Sequence, residues 1–108
     1  MSGSHACLFF VAAAFAACCA SEPGIASATQ GAIFAQQWCA ECHAVTAGQQ
    51  SPNPKAPAFS AIANEPSATD YGLHVFLKST HETMPNFRIS PDAIDDLVDY
   101  IRSLKTQP

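Results

Sequence analysis

The chemistry of this chain starts at Cys39-Ala40-Glu41-Cys42-His43. Two thiols separated by two residues, with an imidazole directly after the second, have the C-x-x-C-H spacing of covalent haem attachment. The spacing has a physical reason for each residue. Thiols three positions apart can add to the two vinyl groups on neighbouring edges of a porphyrin, giving two thioethers. The next residue then lies beneath the ring, where its imidazole can reach the iron. Other settings would turn the same cysteines into a disulfide, a thioredoxin-like redox pair or half of a zinc site. A thioredoxin-like pair should follow a strand in an α/β chain, and no alternating strand pattern occurs here. A tetrahedral zinc site needs two more ligands at short spacing; no cysteine follows Cys42, and His74 and His81 lack that spacing.

A haem with one protein ligand needs its other axial position explained. Met84 is the only methionine besides Met1, and it sits in Thr83-Met84-Pro85-Asn86-Phe87, 41 residues after His43. A lone methionine often fills a core gap, but this one lies in a loop beside proline, where packing alone would not favour it. A thioether opposite imidazole holds haem iron and raises its potential. His81, three residues earlier, is a competitor with no further support, and His74 reads as a surface or half-buried histidine.

The elements that must position these groups are helical. Gly31, Phe34, Ala35 and Trp38 recur at helical spacing and predict a short helix running up to Cys39. Residues 47–57 are rich in Gly, Ser, Pro and Asn and read as loop. Ala58 to Asn64 predicts one or two helical turns, with Phe59 and Ile62 facing inward. Ser67 followed by Asp70 resembles a capping box for a helix carrying Leu73, Phe76 and Leu77 on its apolar face. Ser90-Pro91-Asp92 is a helix start: a hydroxyl cap, a proline where its missing N–H costs nothing, and a carboxylate near the positive end. Ile94, Leu97, Val98, Ile101 and Leu104 line one face of that last helix. The domain reads as all-α, and the acids Asp92, Asp95, Asp96 and Asp99 as its solvated face.

With 108 residues the chain fits one domain. Residues Ala6 to Ala20 form an apolar run too short to span a bilayer comfortably. Pro23 and Gly24 break it, and Ala26-Ser27-Ala28 follows, so residues 1–28 read as a secretory signal peptide cut after Ala28. The n-region holds His5 but no Lys or Arg. Alternatives are an uncleaved anchor, or lipidation at Cys18 after Phe15-Ala16-Ala17. Cleavage after Ala28 would remove Cys7, Cys18 and Cys19 and leave only Cys39 and Cys42. Residues 29–108 then form a domain whose protein core alone is marginal, so that a bound cofactor must supply much of it. The net charge of −4 and the lack of a basic stripe exclude a nucleic-acid binder.

Over nearly all of residues 29–108 the sequence resembles the class I c-type cytochromes. Cys39 and Cys42 match the thioether cysteines, His43 the proximal ligand and Met84, followed by Pro85, the distal ligand. Gly31 and Phe34 match the small and aromatic pair of the first helix, Tyr100 the aromatic residue of the last helix that crosses it, and Pro57 the proline near the proximal histidine. The resemblance implies a cytochrome c-like fold of three to five short helices around one covalent haem c per chain. It implies a periplasmic electron carrier rather than an enzyme, working by transient docking with redox partner proteins. Lys55, Lys78 and Arg88 are the only basic residues between Cys39 and Asp92, so the lysine ring of the mitochondrial carriers is absent. A periplasmic dehydrogenase or oxidase subunit is then the expected kind of partner. Membrane contact is expected only through partners or an uncleaved or lipidated N-terminus. The alternatives are a haem enzyme or gas sensor with a displaceable sixth ligand, and a haem-free thiol oxidoreductase.

Overall fold

The computed structural model describes residues 23–106. The apolar run 6–20, with Cys7, Cys18 and Cys19, lies outside the described residues. Four helices follow in order: α1 (Pro23–Trp38), α2 (Phe59–Asn64), α3 (Asp70–Lys78) and α4 (Pro91–Ser103). No strand occurs among the described residues, and none of their helices is long and apolar enough to cross a membrane.

α4 organises the core. Its apolar face buries Ile94, Leu97, Val98 and Ile101, and Leu97 and Val98 are fully enclosed. Ser90 caps it as expected, its hydroxyl accepting from the Ala93 N–H at 3.3 Å. α1 packs chiefly on α4, and α2 and α3 pack on α4 more lightly. Close approach of α1 and α4 is possible because Gly31 has no side chain: a Cβ there would sit 2.0 Å from the Asp96 carbonyl oxygen and 2.7 Å from Tyr100 Cβ. The Tyr100 hydroxyl crosses to donate to the Val45 carbonyl at 2.6 Å, which ties α4 to the segment after the cysteine motif.

Two local expectations are revised. α1 is longer than the periodicity suggested: Pro23 and Gly24, expected to break a helix, both lie within it. The expected boundary after Ala28 therefore falls inside α1, and Ser27 just before it donates to Asp96 Oδ1 at 2.6 Å. The cap of α3 is Thr69, not Ser67: its hydroxyl accepts from the Gly72 N–H at 3.0 Å.

α3 and α4 are joined by a polar clamp. Half-buried His74 contacts the Asp70 carbonyl through Nδ1 at 2.7 Å and Asp95 Oδ1 through Nε2 at 2.8 Å. Asp70 also pairs with Arg102 at 3.2 Å. The hydrogen bond to the Asp70 backbone, then that to the Asp95 side chain, holds the His74 pKa above its ordinary value. Since the folded value is raised, this stabilisation is fully present below the ordinary histidine range of about 6.5. It is lost as pH rises through the folded pKa. Holoprotein unfolding should therefore show a stability excess near pH 6 over pH 8, below ~1 kcal/mol for a solvent-facing pair, that disappears in His74→Gln. Equal pH slopes in the two proteins would refute the assignment.

Candidate functional site

The C-x-x-C-H segment follows directly on the end of α1. Cys39 N–H donates to Ala35 O at 2.8 Å, prolonging the helical pattern, and His43 N–H donates to Cys39 O at 2.9 Å, closing a tight turn over the motif. Cys39 and Cys42 are both free thiols, the first buried and the second half-buried. Burial pushes the Cys39 thiol up to about 11. A thiol–disulfide catalyst needs the opposite, a lowered thiol pKa, so this cysteine does not fit that chemistry. No group of three or more metal-ligating side chains forms among the described residues, as a zinc site built on these cysteines would require.

The loop after the motif is folded back onto it. Asn53 N–H donates to Cys42 O at 3.1 Å and Phe59 N–H to Ala44 O at 2.9 Å, while Ala44 N–H donates to Ser51 Oγ at 2.9 Å. These bonds bring Pro57 beside His43. The His43 Nδ1 lies 2.6 Å from the Pro57 carbonyl, which can only accept, so Nδ1 carries the proton. Nε2 then keeps its lone pair, as a metal-binding imidazole requires, and the ring orientation is held by its other nitrogen. The Phe59 ring packs on the imidazole with centroids 5.3 Å apart.

His43, Cys39 and Met84 line one cleft, whose remaining walls are apolar and include Phe34, Phe59 and Leu97. Met84 reaches it from the loop between α3 and α4. Trp38 packs against Phe34 at 6.5 Å and Phe87 at 6.3 Å, and both Trp38 and Phe87 are exposed. The donor set is one imidazole nitrogen, one thioether sulfur and the thiol of Cys39, in otherwise apolar surroundings. That composition fits haem, a flat apolar macrocycle whose iron takes nitrogen and sulfur ligands on its axis.

Three of the four residues singled out by sequence thus meet at one cleft, and Cys42 lies in the turn between Cys39 and His43. Sequence reasoning placed Phe59 inward without assigning it to His43, and it passed over the Trp38–Phe87 pair, residues 49 positions apart that no periodicity connects. His81 does not line the cleft. Its ring stacks on Phe76, a wall residue, at 3.7 Å.

Comparison with known proteins places this architecture. Residues 26–101 match the family described as "Cytochrome C oxidase, cbb3-type, subunit III". The chain is 38% identical over 80 residues to a protein of Bradyrhizobium diazoefficiens called cytochrome c-552, an alignment covering 74% of this chain and 77% of the relative. No solved structure matches the chain.

Proposed function

Because this chain belongs to the c-type cytochrome family and is an electron carrier with covalently bound haem c, we propose that Cys39 and Cys42 form its thioethers and that His43 and Met84 are its axial ligands. One observation carries this reading: an imidazole already oriented through Nδ1 and a loop methionine line the same apolar cleft. Bound haem supplies a one-electron couple between ferric and ferrous iron. The protein's part is to keep the coordination nearly constant between those states, so that reorganisation is small. The Pro57 carbonyl fixes the His43 ring. The apolar walls exclude water and favour the less charged ferrous site. With both axial positions filled by the chain itself no substrate binds, and the protein is not an enzyme.

Partners dock at the exposed edge beside Trp38 and Phe87, through a small transient contact of the redox type, below ~1,200 Å². An oxidase is the proposed acceptor, a reading supported by the oxidase-subunit description of the matched family, and a periplasmic dehydrogenase the proposed donor. Export to the periplasm by the N-terminal segment is part of this reading.

Intact-mass measurement on the periplasmic protein tests attachment and export together. The expected mass is that of the processed chain plus one haem, surviving acid extraction. Cys39→Ser and Cys42→Ser should each lose one thioether, and the double variant all covalent haem. A haem-free mass from a host with working maturation would overturn the reading. The same mass separates a start at Thr29 from one upstream of Pro23, which would keep the Ser27–Asp96 bond, and from a lipidated start at Cys18.

A further inference from the structure

Among the described residues, one buried side-chain polar atom has no hydrogen-bond partner: Nε2 of His81. An unmet buried donor or acceptor is costly, and a single such atom in a native fold calls for a specific partner. The position of the ring narrows the choice. His81 stacks on Phe76 with centroids 3.7 Å apart and planes 21° from parallel. Phe76, with Met84, lines the cleft, and His81, not itself a lining residue, is in contact with that wall through the Phe76 ring. The reading above already assigns His43 and Met84, both in the cleft wall, to the iron. What haem extends beyond its macrocycle is a pair of propionate carboxylates, which need donors, and the cleft walls are almost wholly apolar.

We infer that His81 anchors a haem propionate, its Nε2–H donating to the carboxylate while Phe76 holds the imidazole plane. The inference rests on the haem reading above and adds a cofactor-binding residue outside the attachment motif and the axial pair. A charge-assisted bond of this kind is shorter and stronger than a neutral one. The stack on Phe76 makes it directional, because the ring cannot turn without leaving that face.

The test uses the holoprotein and two variants. His81→Phe keeps an aromatic ring on Phe76 and removes both nitrogens; His81→Gln restores a donor. In resonance Raman spectra, the propionate-bending band should shift to lower frequency in His81→Phe and return toward the wild-type position in His81→Gln. Both variants should keep a low-spin spectrum and the sulfur-to-iron band. An unmoved propionate band in low-spin His81→Phe overturns the proposal. Loss of low-spin character in that variant overturns it too, by placing His81 on the iron. Nitrogen NMR of the wild-type ferrous protein is the check independent of variants. It should show His81 protonated at Nε2 with slow solvent exchange, and an unprotonated or rapidly exchanging Nε2 overturns the anchor. A chain matured without covalent haem would instead defeat the underlying haem reading, which the absorption spectrum reports before any of these measurements.

Discussion

Met84→Ala should turn a six-coordinate, low-spin cytochrome into one with an open axial position. Met84 lines the cleft with His43, and it is the only thioether in the described part of the chain. A thioether is a soft ligand that favours ferrous over ferric iron, so its loss should lower the reduction potential. The expected drop is on the order of 0.1 V, a modest share of the ~0.8 V span that axial ligation controls. Two optical changes should accompany it: the weak sulfur-to-iron band at the red edge of the ferric spectrum should vanish, and the ferrous protein should bind carbon monoxide rapidly. His81→Ala should keep the low-spin spectrum and the sulfur band. The opposite pattern, with low-spin character lost in His81→Ala and kept in Met84→Ala, would make the iron bis-histidine. Rapid carbon monoxide binding to the unaltered protein would favour a sensor or enzyme with a displaceable ligand.

Gly31→Ala should destabilise the holoprotein although alanine is the better helix former. The propensity gain in a helix interior is about 1 kcal/mol. Against it stands a steric conflict with backbone: the new Cβ would lie 2.0 Å from Asp96 O and 2.6 Å from Asp96 C, and also 2.7 Å from Tyr100 Cβ. A carbonyl inside α4 cannot rotate aside as a side chain can, so α1 and α4 must separate along their contact. That separation loosens Leu97 and Val98, the largest fully enclosed residues of the core, and pulls the Tyr100 hydroxyl from the Val45 carbonyl. A net loss of at least ~2 kcal/mol is expected for alanine, in the range of overpacked cores, and more for Gly31→Leu. Denaturant unfolding of the holoprotein measures it, and an unchanged or raised midpoint would contradict the crossing.

Much of this was legible in the sequence because the information is local. The C-x-x-C-H pentapeptide sets its chemistry within five residues. The Ser90 cap acts on an N–H three residues away, and the inward face of α4 is a repeat of three and four. Phe59 to Asn64 fell where periodicity placed them, and Gly31 was marked by the resemblance as the small residue of the first helix. Met84 stood out by being alone in a loop. Local rules failed where two neighbouring groups could serve the same purpose: both Ser67 and Thr69 can cap α3, and only the packed backbone chose Thr69. They failed also at Pro23 and Gly24, read as helix breakers; both lie in α1, which runs on to Trp38 and carries Ser27 to its bond with Asp96.

The parts decided by tertiary structure are contacts between residues that no short-range rule relates. The sequence placed a proline near the proximal histidine only by resemblance; that the Pro57 carbonyl accepts from His43 Nδ1 depends on a loop folded back through Asn53, Ser51 and Phe59. The Trp38–Phe87 pair and the stack of His81 on Phe76 likewise arise from how helices and loops settle around the cleft. The types of the reactive groups are covalent facts, written one residue at a time. Their orientation and the partner of each nitrogen are set by packing, in which every position depends on all the others.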